Sequence, residues 1–295
     1  MKSVYKGVIT AAGRGTRLAP ATRTVQKELF PLVDVDGRAK PVIQILAEEL
    51  RASGVEEICV VANAANAEPI RTHFAADPDF ARRVFVAVQQ TQDGYGHAVY
   101  QTRAWAGEDP FVLTLGDHVY FSDIDIRCAR QVMDACAAHG CSVSSVFAVA
   151  AQDAPRYGII AGLPLAESSP TVYGIRAMAE KPTVEFARAN LQTPGLSDGR
   201  FLSFFGIHAF TPAIFDCLRH LIDSDTRQRG EIQLTAAQAL LSEREPYVLT
   251  QVQGTRYDMG IPEGLIETQI ALALRSPFAA QAQAMLGETP LGEVQ

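Results

Sequence analysis

Val8-Ile9-Thr10-Ala11-Ala12-Gly13-Arg14-Gly15-Thr16-Arg17-Leu18 is the stretch on which the reading of the whole chain turns. A short apolar run that stops at glycine reads as a buried strand breaking into a glycine-containing loop. Downstream, residues 41–53 read as a helix: Ile43, Leu46, Ala47 and Leu50 recur at helical spacing, Pro41 suits a first turn and Gly54 a stop. Residues 57–62 read as a second strand, 66–75 as a crossover helix, 83–89 as a third strand, 97–105 as a helix and 110–115 as a strand. Strands alternating with helices imply right-handed crossovers and a mostly parallel sheet covered on both faces. From about Ser142 the pattern changes to strand-like runs at 141–150, 158–162, 171–178 and 201–210, with fewer helices between them, so an antiparallel or mixed extension is expected. Helices return at 231–242 and 262–274, and the Ala/Gln-rich stretch from Phe278 reads as a surface helix or frayed tail. The expected fold is α/β, with a doubly wound, mostly parallel mixed sheet and its ligand at the carboxyl ends of the strands.

Composition narrows the function. With 295 residues, 47% hydrophobic and 20% charged, the chain can bury a large core. No apolar run approaches the roughly 20 residues of a membrane span, and the opening stretch is broken by Lys6, so a cytoplasmic protein without membrane or signal segment is expected. The five cysteines contain no C-x-x-C pair and read as buried thiols. A net charge of −7 argues against nucleic acid as a partner. Residues 1–40 nevertheless carry eight basic side chains against three acidic ones, a surplus that suits a compact anionic ligand or plain solvated surface.

Glycines directly after a buried strand let backbone N–H groups approach phosphate oxygens, and the Arg17 fork can neutralise a pyrophosphate. A tight structural turn would use the same glycines. The loop is not a Walker-type phosphate loop, since no Gly-Lys-Ser/Thr closes it. A dinucleotide fold fails at Leu18, where a third glycine would stand, and at Ala62-Asn63, where an acidic ribose partner is missing.

The run Ala12-Gly13-Arg14-Gly15-Thr16-Arg17-Leu18-Ala19-Pro20-Ala21-Thr22, followed by Lys27-Glu28-Leu29-Phe30-Pro31, resembles the signature of the nucleotidyltransferase family that makes sugar nucleotides. Within that family the chain is most similar to the branch that joins UTP to glucose 1-phosphate, with the dTTP-using branch second. The resemblance implies a Rossmann-like fold of the nucleotide-diphospho-sugar transferase type, spanning 1–265, with a nucleotide half over about 1–140, an antiparallel sugar-binding half over about 141–265, and a helical tail at 266–295. It implies a nucleotide site of Ala11, Ala12, Gly13, Gly15, Thr16, Arg17, Glu28, Gln89 and Gly94. Arg17 would bind the triphosphate tail and Lys27 would bridge phosphates at the reacting centre, although Lys27-Glu28 could also be a surface ion pair. Arg23 and Gln26 depart from the family's usual residues in this loop.

A glutamine amide can donate and accept toward a base edge, and the family's matching glutamine and glycine read a pyrimidine; Gln89 and Gly94 take that place, with Gln90 one position away. His97 reads as a packed or capping residue. Leu113-Thr114-Leu115-Gly116-Asp117-His118 puts an acid at the end of an apolar strand, which suits Mg²⁺, a hard ion with oxygen ligands. The resemblance adds Asp258 as the second metal ligand. Asp117-His118 as a transition-metal site is not expected, because no third ligand is apparent.

Gly158, Glu180 and Lys181 match the family's sugar-phosphate residues, with Lys181 catalytic beside Arg17, Lys27 and Asp117; a turn with a surface ion pair is the alternative. The family's Ser-Asn before the strand near Phe201 is absent, and the segment before Gln89 is short, which leaves the sugar open to a modified hexose or cyclitol phosphate. The implied partners are UTP or another pyrimidine nucleoside triphosphate and a sugar 1-phosphate, the assembly a homo-oligomer. A nucleotide-sugar-binding regulatory protein without turnover is the rival of another class.

Overall fold

Every residue of β1 (Lys6–Ala11) is buried, as a strand covered on both faces requires. The computed structural model describes residues 2–165 and 171–287. In chain order β1 is followed by β2 (Pro31–Val33), β3 (Ala39–Pro41), α1 (Val42–Ala52), β4 (Glu57–Ala62), α2 (Ala67–Ala75), β5 (Val84–Val88), α3 (Tyr95–Tyr100), α4 (Arg103–Ala106), β6 (Phe111–Leu115), β7 (His118–Ser122) and α5 (Cys128–His139). Then come β8 (Ser142–Ala150), β9 (Gly158–Pro164), β10 (Val172–Glu180), α6 (Val184–Asn190), β11 (Arg200–Phe210), α7 (Ala213–Asp223), α8 (Leu234–Arg244), β12 (Tyr247–Gln251), β13 (Gly254–Asp258), α9 (Pro262–Ala273) and α10 (Ala279–Gly287).

Two units divide the chain. The larger comprises residues 1–13, 47–115 and 120–255. Its nine-stranded sheet runs β5-β4-β1-β6-β11-β8-β12-β10-β9. The first four strands are mutually parallel. β11 then enters antiparallel to both β6 and β8, β12 lies parallel to β8, and β10 is antiparallel to β12 and β9. The mixed α/β sheet expected from the alternation is therefore present, with the change of strand direction at β11. Its core packs Val8, Val61, Phe111, Leu113, Phe210, Phe215 and Leu218 together, Phe111 stacking on Phe215 at 5.2 Å.

The smaller unit comprises 14–46, 116–119 and 256–295. Here β2 and β3 form a hairpin. Its turn closes through Gly37, at φ 78, and Lys40 pairs with Asp34 at 2.7 Å. α9 docks on the hairpin through Gln269, which accepts from Val33 N at 3.1 Å and donates to its carbonyl. β7 pairs with β13 in a separate two-stranded sheet.

Several boundaries differ from expectation. The helix expected over 97–105 is two pieces: the Thr102 hydroxyl bonds back to the Val99 carbonyl of the first at 2.8 Å, and Thr102 stands at the N-cap position of the second without a side-chain cap bond. The helix expected from 231 starts at Leu234, since the Ile232 backbone is engaged with Asp93 and Gly96. Pro41 closes β3 rather than opening α1. α10 occupies the expected C-terminal helix as far as Gly287; residues 288–295 lie outside the described residues. All five cysteines are buried free thiols. No helix among the described residues is long and apolar enough to cross a membrane.

Candidate active site

The loop after β1 is held by Gly15. At φ 65 it takes a left-handed conformation that favours glycine, and its carbonyl accepts from Leu18 N at 3.0 Å and Thr22 Oγ1 at 2.8 Å. A methyl group there would stand 2.8 Å from Thr22 Cγ2. Short 3₁₀ turns follow at Thr16–Leu18, Ala21–Arg23 and Lys27–Leu29. Gly13, Thr16 and Arg17 are exposed, whereas Lys27 is buried and Glu28 is completely so.

Lys27 Nζ lies 2.6 Å from Glu28 Oε1 and 3.0 Å from Asp117 Oδ2. The surface ion pair that the sequence left open is thus a buried three-membered cluster. Burial works against the ammonium, but Asp117 and then Glu28 outweigh it and raise its pKa. Burial raises Asp117 as well, yet Lys27, then His118, hold its carboxyl well below the usual carboxylate range. Glu28 goes the other way: desolvation dominates and raises it despite Lys27. Its Oε2 has no hydrogen-bond partner among the described residues.

Asp117 and Asp258 lie far apart in the chain, and the β7–β13 pairing carries them to one place. Met259 N donates to the Asp117 carbonyl at 2.9 Å, and Gly260 N to Asp258 Oδ1 at 2.9 Å. Ligand atoms of Asp117, His118 and Asp258 all fall within 4.8 Å of one another. Asp258, which the resemblance named as a second ligand, is thus the third ligand-bearing group beside Asp117-His118. Gly260, the glycine of the Asp-x-Gly match to the family, packs against the same groups: a methyl group on it would stand 2.6 Å from Asp117 Oδ2, 3.0 Å from Arg17 Nη2 and 3.0 Å from Asp258 Oδ1. Arg256, at 3.1 Å from His118 Nε2, escaped the sequence reading, its only signal being proximity to Asp258.

The larger unit carries the remaining residues. The Ala11 carbonyl accepts from Asn66 Nδ2 at 2.8 Å and the Ala12 carbonyl from Gln92 Nε2 at 3.0 Å. Gln89 is buried, and its Nε2 donates to the Gly94 carbonyl at 3.1 Å and lies 3.0 Å from His97 Nδ1. The amide's donor side is committed within the protein, so Oε1 is the part left to meet a base. His97 is the packed residue expected, and it fixes this amide. Gly94, at φ 107, abuts the 231–232 segment so closely that a methyl group would stand 2.8 Å from the Ile232 carbonyl.

Gly158 and Glu180 face each other across the β9–β10 pair. Glu180 Oε2 accepts from Thr235 Oγ1 at 2.8 Å, and a methyl group on Gly158 would come within 3.0 Å of that oxygen. Lys181 follows in a left-handed conformation, φ 47, with its N–H on the Tyr157 carbonyl and its own carbonyl accepting from Arg229 at 3.0 Å. A non-glycine residue held this way costs free energy and is concentrated at functional positions. Its half-exposed ammonium is 3.8 Å from Glu180 Oε1.

The chain is similar over most of its length to several known proteins. A curated UTP–glucose-1-phosphate uridylyltransferase of Staphylococcus epidermidis is 32% identical over an alignment of 305 residues that covers 95% of this chain and 96% of that protein. One from Staphylococcus saprophyticus is 31% identical, covering 93% and 94%. A crystal structure of UDP-glucose pyrophosphorylase complexed with UDP-glucose superposes with TM-score 0.75 at 30% identity, covering 91% of this chain and 98% of that one. A UTP-bound enzyme from Acinetobacter baumannii, 22% identical, shares the fold with TM-score 0.74 over 97% of this chain and 100% of its own. The description of the family called Nucleotidyl transferase matches residues 6–274, and the chain belongs to that family as a nucleotidyltransferase enzyme.

Proposed function

We propose that the chain transfers the uridylyl group of UTP to glucose 1-phosphate, releasing pyrophosphate and UDP-glucose. The names of the Staphylococcus relatives and the UDP-glucose complex support the choice of base and sugar. The observation that carries the reading is the contact of buried Lys27 with Asp117 at 3.0 Å, with Asp258 and Arg17 also next to Gly260.

In the reaction an oxygen of the sugar phosphate forms a bond to the α-phosphorus of UTP, while the bond from that phosphorus to the bridging oxygen breaks and pyrophosphate leaves with the electron pair. No proton shuttle is required. Both reactants are anions, so fixed cations must offset their repulsion before in-line attack. Lys27 brings a permanently charged ammonium. Glu28, fully buried and 2.6 Å from Lys27 Nζ, acts on the nucleotide through that ammonium. Arg17 offers its fork to the departing pyrophosphate, and the backbone around Gly13, Gly15 and Thr16 faces phosphate oxygens.

Asp117 and Asp258 supply a pair of carboxylate oxygens, a donor set that fits Mg²⁺, and both would hold it. When bound, Mg²⁺ offsets phosphate charge as a Lewis acid. In the larger unit Gln89 Oε1 accepts the N3–H of uracil; cytosine carries an acceptor at that atom and is refused. Glu180 takes sugar hydroxyls beside Gly158, and Lys181 takes the sugar phosphate. The nucleotide and sugar halves, divided near residue 140, and a cytoplasmic homo-oligomer belong to the same proposal.

A pyrophosphate-release screen of four nucleoside triphosphates against a panel of sugar 1-phosphates tests it. The highest turnover is expected with UTP and glucose 1-phosphate. Preference for dTTP, or for another sugar phosphate, overturns the substrate assignment. Binding without turnover for every pair replaces the enzyme with a regulatory nucleotide-sugar binder.

A further inference from the structure

His118 is the one member of the Asp117–His118–Asp258 cluster to which no role has been given. Arg256 Nη1 lies 3.1 Å from its Nε2. A guanidinium has donors only, so Nε2 must accept, and the ring proton sits on Nδ1. Nδ1 is 3.0 Å from Asp117 Oδ1 and therefore donates to the carboxylate. The direction of the chain is thereby fixed: Arg256 donates to His118, and His118 donates to Asp117. The two oxygens of Asp117 have separate partners, the imidazole at Oδ1 and Lys27 at Oδ2. His118 is 7% exposed, so water competes little for either contact.

We propose that His118 and Arg256 are positioning residues that orient the Asp117 carboxylate, and that His118 is not a ligand of the ion it stands beside. The inference rests on the reading of Asp117 and Asp258 as the cation's carboxylates. Metal binding through imidazole needs a lone pair on a ring nitrogen, and here one nitrogen carries the proton while the other accepts from Arg256. The donor set stays purely oxygen, which selects Mg²⁺ or Mn²⁺ and gives no advantage to Zn²⁺. A side chain that orients a ligating group in this way is typically worth about 10–100-fold in metal affinity or activity.

The test uses the full chain with Mn²⁺ as the probe and no nucleotide. Long-range nitrogen–proton NMR should find the His118 ring as the Nδ1–H tautomer in the wild type, with the preference lost in Arg256→Met. Mn²⁺ titration followed by EPR should weaken about 10–100-fold in His118→Phe. His118→Asn, whose amide nitrogen occupies the place of Nδ1 and also donates, should stay within about threefold of wild type, because it restores the orienting bond. Pulsed EPR of bound Mn²⁺ should find no imidazole nitrogen coupling. An Nε2–H tautomer in the wild type, unchanged Mn²⁺ affinity in folded His118→Phe, or a nitrogen coupling that His118→Phe abolishes would each overturn the proposal. Asp117→Asn separates the two levels: undiminished Mn²⁺ binding there means that the carboxylate reading has failed, whereas the tautomer measurement reports on the hydrogen-bond chain by itself.

Discussion

Lys27 Nζ stands 3.0 Å from Asp117 Oδ2 and 2.6 Å from Glu28 Oε1, a lone buried ammonium between two buried carboxylates. Removing one partner of a buried ion pair leaves the others uncompensated, which typically costs about 3–5 kcal/mol. Lys27→Met should therefore lose stability on that order in urea unfolding, together with turnover by roughly 10²–10³, the usual penalty for a missing fixed donor at the reacting centre. A variant that loses activity at full stability would mean that the ammonium is no part of the buried cluster.

Gly260 leaves no room for a side chain. A methyl group would meet Asp117 Oδ2 at 2.6 Å and Arg17 Nη2 at 3.0 Å. Gly260→Ala should displace both groups and lower kcat by about 10²-fold, since small displacements of positioned groups are that costly. Because the displaced Asp117 Oδ2 also pairs with buried Lys27, the melting temperature should fall as well. Equal kcat in wild type and variant would contradict the geometry.

Gln89 presents Oε1 to the base because Nε2 is bound to Gly94 and lies against His97. Gln89→Leu should narrow the UTP-over-CTP ratio of kcat/KM by about 10-fold or more, as a lost hydrogen bond at a recognition site does. An unchanged ratio in direct competition would transfer base reading to Gln90 or the main chain.

Much of this was legible in the sequence because it is local. The strand that ends at Ala11, the glycine at position 15 and the acid after Leu115 are each recognisable from neighbours a few residues away. The first four parallel strands follow from strand–helix alternation. Other elements lacked such a signal. α5 buries Cys128, Ala129, Val132, Met133 and Cys136, a face made largely of small residues with weak apolar contrast. β7 and β13 are five residues each, too short for a periodic pattern to stand out. That pairing brings Arg256 to His118, a contact with no signal in the sequence, and Asp258 to Asp117, which only the family resemblance had connected. Gln89 illustrates the same limit: its type suggests donor and acceptor alike, and only its neighbours determine which remains.

Acid sensitivity follows from His208, which is buried in the larger unit with Ser144 and Gln238 around its Nδ1. Desolvation pushes its pKa down from 6.5 to about 3. The unfolded chain therefore binds a proton below about pH 6.5 that the folded chain refuses until about pH 3. Its stabilising effect is complete above pH 6.5 and is lost on acidification across that window, at up to about 1.4 kcal/mol per pH unit. Urea unfolding between pH 7 and 5 should give a shallower pH slope in His208→Asn than in wild type; parallel slopes would contradict the assignment. The depressed Asp117 adds a second loss, beginning only as the pH falls through the ordinary carboxylate range.

In the proposed reaction Asp117 and Asp258 act through one cation. The direct measurement is pyrophosphate release from UTP and glucose 1-phosphate across a Mg²⁺ titration, for wild type, Asp117→Ala, Asp258→Ala and the double variant, with melting temperature recorded for each. A metal clamp contributes several kcal/mol to the transition state, so each single variant should lose roughly 10²–10⁴ in turnover while folded. The double variant should be little worse than either, because residues acting as a unit are not additive. Near-normal turnover in folded Asp258→Ala, or losses that multiply in the double variant, would contradict a shared site.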